Sequence, residues 1–486
     1  MKLQNILGIS AGYHDAAVTV INTAGEILYA GHAERYSKKK NDANLNVDML
    51  FEAARGRHID CIAYYETPWK KQIRQLYSGQ GIEWSRVTTR QVLEEQLYGY
   101  FSDASVTTHN HHRSHAAAGF QTSPYNRATV VVIDAIGEWD TISIWGAEYV
   151  KGRARYHRLW RQRYPRSIGL FYSAVTERIG LRPLDEEYIT MGMAAWGRPE
   201  YTDTMSILLE ENLHVGISNM FLPNAKDTDI AASAQAVVEQ EIYKVMQRAR
   251  DFGWSRNLVY MGGVALNCLA NRNLGDYFEN IWIMPCPGDA GSSLGAAALA
   301  YGKKLNWTNA YLGTEITGEY PVDSCVDSLL RDRICGVANG RAEFGPRALG
   351  NRSLLADPRG RDIKDLVNAI KQRQQFRPFA PVILEEHVGD YFDMPGGWTD
   401  SRYMQIVGQC RRPDLFPAIS HYDGTSRIQT VPKDATGIRR LLEKWFVVTG
   451  CPMLLNTSLN IRGEPMVNDR ADANRFEKLY DVKVWS

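Results

Sequence analysis

The chain has 486 residues, 44% of them hydrophobic and 23% charged, which is the composition of an ordinary globular protein with length for about two to four domains. A net charge of +1 argues against both an acidic solvating chain and a basic coat for nucleic acid. Seven scattered cysteines with no C-x-x-C pair fit reduced thiols better than a disulfide framework. With no long apolar run and no leader-like start, the expectation is a soluble, cytoplasmic protein without membrane contact.

In chain order, Ile6–Ser10, Ala17–Ile21 and Ile27–Ala30 predict three strands joined by Gly-bearing turns. The same grammar returns at Thr129–Ile133 and Thr141–Trp145, with a third strand after Lys151-Gly152. In each copy a polar turn separates the first two strands: Gly12-Tyr13-His14-Asp15 and Asp134-Ala135-Ile136-Gly137-Glu138. This duplication resembles the repeated ribonuclease-H-like core of the actin, sugar-kinase and Hsp70 ATPase superfamily, where such turns hold phosphate or metal.

Between the copies, His109-Asn110-His111-His112-Arg113-Ser114-His115 gathers four of the eleven histidines. On a helix His111 and His115 share one face, about 5–6 Å apart at Cβ. Two imidazoles with a carboxylate, for which Asp134 and Asp289 are candidates, suit Fe(II) or a similar first-row ion. Solvated histidines at a polar helix start are the plainer alternative.

Thr228–Asp251 predicts a long helix. Strand Leu258–Met261 then runs into Gly262-Gly263-Val264-Ala265-Leu266-Asn267, and strand Ile281–Met284 runs through Pro285–Gly295, which contains Asp289 and Ser292, to a helix at Ala296–Tyr301. A strand, a glycine turn and a helix place backbone N–H groups where an anion can sit. The pattern relaxes over Tyr311–Asp323, which predicts a boundary between domains at 1–315 and 325–486.

The second half has a different chemistry. Gly340–Ser353 sets Arg341, Arg347 and Arg352 among glycines and Pro346, and Lys371, Arg373 and Arg377 follow. Pro378 biases Arg377 towards an extended backbone, and guanidinium forks suit phosphate or carboxylate. Strand Pro452–Leu455 ends in Asn456-Thr457-Ser458-Leu459-Asn460, small polar groups able to orient a planar carbamate.

Taken in this order, the motifs resemble the NodU/CmcH/TobZ-type O-carbamoyltransferase family over nearly the whole chain. The match also includes His14-Asp15-Ala16-Ala17, Tyr65-Glu66-Thr67-Pro68, Met191-Gly192-Met193-Ala194 and His421-Tyr422-Asp423-Gly424-Thr425. The resemblance implies an α/β protein with a kinase-superfamily-like N-terminal domain and a YrdC-like α/β C-terminal domain. The second domain would convert carbamoyl phosphate and ATP/Mg2+ to carbamoyl-adenylate, and the first would pass the carbamoyl group to an acceptor hydroxyl. Because the mixed anhydride is hydrolysed by water, internal passage is expected.

The matched motifs imply residue roles. His111, His115 and Asp289 resemble the ligands of a divalent metal, Fe2+ by preference, with Asp134 beside the metal or holding its water. His14 resembles the general base. Gly262, Gly263, Asn267 and Ser292 would cradle the adenylate, and Arg347, Arg352, Lys371, Arg373, Arg377 and Ser458 would hold carbamoyl phosphate and the ATP phosphates. Ala135 stands where the family usually has Gly, Ile189 stands where a Lys is frequent, and the chain is about a hundred residues shorter than common members. The rival readings are a sugar kinase or ATPase of the same superfamily and a non-catalytic ATP-binding regulator.

The acceptor is expected to be a small-molecule or sugar alcohol. Over Lys151–Arg166, however, Arg153, Arg155, Arg158, Arg161, Arg163 and Arg166 interleave with Tyr156, Trp160 and Tyr164. Such a stripe suits nucleic acid, with a 5-hydroxymethyl pyrimidine in DNA as acceptor. A charged strand edge that resists aggregation is the simpler account.

Overall fold

The two sequence meanders become two five-stranded sheets of the same topology. In the first, β1 (Asn5–Ser10), β2 (Ala17–Asn22) and β3 (Ile27–His32) are antiparallel, and β4 (Cys61–Tyr64) and β5 (Ser105–Thr108) join parallel to β1 in the order β3-β2-β1-β4-β5. In the second, β6 (Arg127–Gly137), β7 (Asp140–Val150) and β8 (Arg153–Arg163) form the meander. There β9 (Asn257–Met261) and β10 (Asn280–Trp282) add parallel to give β8-β7-β6-β9-β10. Each sheet has three antiparallel strands followed by two parallel ones. This is the duplicated ribonuclease-H-like core.

The computed structural model describes residues 5–374, 377 and 379–486. It divides into two units, one holding residues 5–37 with Asn41–Ala270 and Leu274–Thr308, the other Lys38–Lys40, Asn271–Asn273 and Asn309–Ser486. The division precedes the relaxed stretch at Tyr311–Asp323, because Tyr311–Ile316 forms strand β11 and pairs with Gly340–Glu343, strand β13. One expectation needs correcting. Asp134 does not open a turn, since β6 runs through it to Gly137 with a register irregularity after Ile133. The reversal is taken instead by Glu138, at φ 56°.

In the first unit, helices His111–Thr122 and Ser292–Tyr301 pack against each other at a glycine. A Cβ on Gly295 would lie 1.8 Å from the carbonyl oxygen of Ser114, so only glycine allows this approach. A Cβ on Gly8 of β1 would likewise lie 2.0 Å from the Ser293 carbonyl oxygen. Together these contacts seat the start of the Ser292–Tyr301 helix beside the histidine helix.

The second unit is an α/β domain around a six-stranded mixed sheet. Its strands are β12 (Ile334–Ala338), β14 (Arg352–Ala356), β15 (Ala380–Leu384), β19 (Gln429–Val431), β20 (Met453–Ser458) and β21 (Val484–Trp485), in the order β19-β15-β20-β14-β12-β21. A small sheet of β16 (Phe392–Asp393), β17 (Val407–Cys410) and β18 (Thr425–Arg427) accompanies it. Alternate residues feed two cores. Met453, Leu455 and Ile383 pack with Phe476 on one face, and Leu454 and Val382 pack with Trp445 on the other. The sheet is therefore buried on both faces, an α/β arrangement. Pro378, beside Arg377 in the second half, lies outside the described residues.

Candidate active site

The histidine helix is built to be buried. Asn110 caps it by accepting from Arg113 N–H at 3.1 Å. The Glu138 carboxylate accepts from the Asn110 amide at 2.7 Å, from Thr67 N–H at 2.8 Å and from His111 N–H at 3.4 Å. His111, His112 and His115 are all buried. A Cβ on Gly137 would lie 2.3 Å from the His111 ring, so the β6–β7 reversal presses directly on that imidazole.

Four donor atoms converge. His111 Nε2 lies 3.1 Å from His115 Nε2, 3.2 Å from Asp134 Oδ2 and 3.2 Å from Asp289 Oδ1. His115 Nε2 lies 3.1 Å from Asp289 Oδ1 and 3.4 Å from Asp134 Oδ2. A first-row ion with ligands at about 2.0–2.1 Å has ligand–ligand edges of about 3.0–3.4 Å; these five distances match such edges, and all four atoms lie within 4.8 Å of one another. Two carboxylates and two neutral imidazoles also neutralise a divalent charge.

The orientation of the imidazoles supports this fit. His115 Nδ1 lies 3.1 Å from the Pro287 carbonyl, to which only a protonated nitrogen can donate. In the neutral ring, Nε2 then turns its lone pair to the centre. His111 Nδ1 faces the Glu66 carboxylate at 3.4 Å, and Glu66 is in turn paired with Lys71 at 2.7 Å. The other Asp134 oxygen accepts from Gly263 N–H at 3.2 Å. Burial alone would neutralise these groups, but the mutual field pushes both histidines up and holds both aspartates below the usual carboxylate range.

His14 reaches the cluster from the β1–β2 turn, with Nε2 3.6 Å from Asp289 Oδ2 and Nδ1 3.1 Å from Asp15. Burial lowers its pKa, but the Asp289 and Asp15 charges outweigh that and push it up to about 9. Its ring stands 4.9 Å from that of Tyr13, over which the Lys71 ammonium sits at 4.5 Å. His109 and His112 stay outside the centre. His112 Nδ1 bonds Ser143 at 2.8 Å, and burial lowers its pKa to about 3.

The expected nucleotide residues divide. Gly262, at φ 93°, would place a Cβ 2.1 Å from the Ile133 carbonyl, and Gly263 comes within 3.9 Å of a Cβ built on Gly288, so the two glycine turns meet beside Asp134. Ser292 is fully buried, with its hydroxyl unpaired among the described residues. Asn267 is directed elsewhere. Its amide exchanges two 3.0 Å hydrogen bonds with Gln235 of helix Asp227–Asp251.

In the second unit the cations also separate by role. Arg352 is fully buried and donates to the carbonyls of Asn351 and Thr314 at 2.8 Å, Asn468 at 3.0 Å and Asn339 at 3.1 Å. This guanidinium is spent inside the fold and is not presented to a phosphate. Lys371 donates to the Ser458 carbonyl at 2.7 Å and to the Asn460 side chain, whose oxygen also accepts from the Ser458 hydroxyl at 2.7 Å. Burial and the positive charges of Arg373, Arg377 and Lys40 hold Lys371 well below the usual lysine range. Arg373 lies 4.1 Å over the Phe379 ring and bonds Asn368 at 2.8 Å. Arg377 reaches Gln374 at 3.5 Å. Arg347 is half-buried in a loop held by Glu343, which accepts from Leu349, Asn351 and Arg352 N–H at 2.8, 2.9 and 3.2 Å.

Sequence reasoning gave no task to Glu66, Lys71, the Pro287 carbonyl or Glu138. Glu66 sits in Tyr65-Glu66-Thr67-Pro68, but its contact with His111 spans 45 residues and has no local signature.

Comparison with known proteins places this geometry in a family. The carbamoyltransferase N-terminus model matches residues 5–220 and 213–298, and the carbamoyltransferase C-terminus model matches 326–484. The chain belongs to the carbamoyltransferase family and is a carbamoyltransferase enzyme, a transferase of one-carbon groups. It is 32% identical to protein sll1178 of Synechocystis sp. over 97% of this chain and 94% of that one. It is 28% identical to nodulation protein NolNO of Sinorhizobium fredii over 95% and 76%, and 34% identical to nodulation protein U of Azorhizobium caulinodans over 55% and 51%. Full-length HypF in its phosphate- and nucleotide-bound form aligns at 14% identity, TM-score 0.38, over 62% of this chain and 56% of that one. No helix among the described residues is long and apolar enough to cross a membrane.

Proposed function

We propose that this carbamoyltransferase works in two half-reactions. Carbamoyl phosphate, ATP/Mg2+ and one water give carbamoyl-adenylate, phosphate and pyrophosphate in the C-terminal domain, 325–486. The N-terminal domain, 1–315, then joins the carbamoyl carbon to an acceptor hydroxyl oxygen, with AMP leaving and the hydroxyl proton taken up. The observation that carries this reading is the convergence of four donor atoms with His14 in reach of Asp289 at 3.6 Å.

In this reading His111, His115, Asp134 and Asp289 hold a divalent metal, with Fe2+ favoured by the donor set. When bound, the ion supplies Lewis acidity to a carbamoyl or phosphate oxygen. Asp134 thus moves from a group beside the metal to a fourth ligand. His14 accepts the acceptor proton at its imidazole. Its Asp289 partner favours the protonated form, the state His14 reaches once it has taken that proton. The Gly262–Gly263 turn and Ser292 supply N–H and hydroxyl donors to the adenylate. Lys371, Arg373, Arg377, Arg347 and Ser458 surround the phosphates of the first half-reaction, while Arg352 frames the loop that carries Arg347.

Pyrophosphate exchange into ATP that depends on carbamoyl phosphate tests the reading. Exchange with carbamoyl phosphate and none without it is the expected result. Exchange indifferent to carbamoyl phosphate, or phosphorylation of a sugar from ATP, would favour the kinase alternative. Nucleotide binding with no turnover would favour the regulator.

A further inference from the structure

The stripe on β8 is not uniform. Arg153 and Arg155 lie at its start, opposite Val150 and Glu148, so Arg155 faces a compensating carboxylate. The strand's other end meets the reversal at Glu138–Asp140, the same reversal that caps the histidine helix. Ten residues of strand separate these ends by about 33 Å.

At the site end the register is broken on purpose. Trp145 pairs with Arg158 and Ile144 with Trp160, which leaves Leu159 as an extra residue, a β-bulge. Without it Arg158 and Arg161, three apart, would point to opposite faces. With it they stand across from Trp145 and Ser143, on one face. Arg163 pairs across from Asp140 directly. All three guanidiniums approach that one buried carboxylate, at 3.8 Å for Arg158, 3.9 Å for Arg161 and 3.6 Å for Arg163. These distances exceed hydrogen-bond length, so the forks keep donors for another partner. Three positive charges face one negative one.

The surroundings extend the pattern. The Lys70 ammonium stands 3.6 Å from Glu138, and Arg113 lies exposed on the histidine helix, over the Tyr156 ring at 5.7 Å. Tyr77 is 69% exposed and Trp69 is 51% exposed, and the Tyr77 ring packs 5.5 Å from Trp139, the residue next to Glu138. Cations in excess beside exposed rings are the features that hold phosphodiesters and stack bases. Charge and a bulge both protect a strand edge; the feature beyond edge protection is the gathering of three arginines around one carboxylate.

We propose that Arg158, Arg161 and Arg163 bind backbone phosphates of a nucleic-acid strand whose target base carries the acceptor hydroxyl. The inference rests on the acceptor-hydroxyl reading above and names the class of its substrate. The strand lies along the end of β8, and its base is offered past the Tyr77–Trp139 shelf towards the centre on the helix that Glu138 caps.

The test uses the full chain and a single-stranded oligodeoxynucleotide containing 5-hydroxymethylcytosine. Binding is read by fluorescence anisotropy over a salt series with no co-substrate present. The expected dependence of log Kd on log salt reflects about 0.7 per phosphate contacted. The triple variant Arg158→Ala, Arg161→Ala, Arg163→Ala is expected to lower affinity at least about tenfold and to reduce the slope by about 2. Lysines at the same three positions keep most of the slope, which separates lost charge from lost fold. Salt-independent binding, or a triple variant that binds like the wild type, overturns the proposal. Carbamoyl mass gain is then compared on the oligonucleotide, 5-hydroxymethyl-2′-deoxycytidine and its 5′-monophosphate. Preference for the oligonucleotide supports the proposal; equal activity on the nucleoside or monophosphate overturns it. Exchange of pyrophosphate into ATP on the same preparation judges the two-step reading separately, because strand binding is measured without ATP.

Discussion

The two charged regions of this enzyme are organised in opposite ways. In the first unit opposite charges converge. Two imidazoles and two carboxylates converge, each imidazole nitrogen 3.1–3.4 Å from the other and from one oxygen of each carboxylate, and the groups behind them fix their orientation. In the second unit like charges crowd, and Lys371 is held down by burial and by Arg373, Arg377 and Lys40. A convergent cluster of lone pairs calls for a cation, and a crowded cluster of cations calls for an anion. The contrast also shows that not every buried cation is a ligand group, since Arg352 gives its fork to backbone carbonyls.

The sharpest way to break the comparison is to remove one partner from the convergent cluster. His115→Ala is expected to lower carbamoyl transfer from supplied carbamoyl-adenylate at least about 10³-fold, more than the loss of one oxyanion donor. Exchange of pyrophosphate into ATP should survive. Transfer at the wild-type rate in metal-stripped His115→Ala protein would contradict the assignment.

Arg352 and Arg377 separate framework from ligand in the second unit. Arg352→Ala leaves several buried carbonyls unsatisfied and is expected to cost about 3–5 kcal/mol of stability, read by urea denaturation. Arg377→Ala should leave the unfolding free energy within about 0.5 kcal/mol of wild type and lower exchange about 10²-fold through the loss of charge-assisted bonds. The reverse pattern would exchange their roles.

The smallest effect concerns Glu66. Replacing the acceptor behind a metal-bound imidazole weakens metal binding by about 10–100-fold, and Glu66→Gln is expected to fall in that range by chelator competition. Glu66→Asp should recover part of the loss. A Gln variant with wild-type affinity would reduce the Glu66–Lys71 pair to a packing feature.

Much of the first unit was legible because its signals are local. Alternating apolar runs gave the duplicated meander, and the i, i+4 spacing gave His111 and His115. The Pro285–Gly295 turn gave Asp289. What escaped depends on contacts across the fold. Glu66 ends up behind His111 because β4 delivers it there. The strand continues through Asp134 because Glu138, rather than a glycine, takes the positive φ. Asn267 and Arg352 were read from their neighbours in sequence, whereas their hydrogen bonds go to Gln235 and to carbonyls up to 116 residues away. The bulge at Leu159 is likewise invisible in a run of alternating residues, yet it decides which arginines share a face.

The central claim, a single cation held by His111, His115, Asp134 and Asp289, is tested most directly by X-ray absorption on protein loaded with Fe(II). The expected spectrum contains two imidazoles and carboxylate oxygens at about 2.0–2.2 Å, falling to one imidazole in His115→Ala. A spectrum without histidine scattering, or one that His115→Ala leaves unchanged, would contradict it.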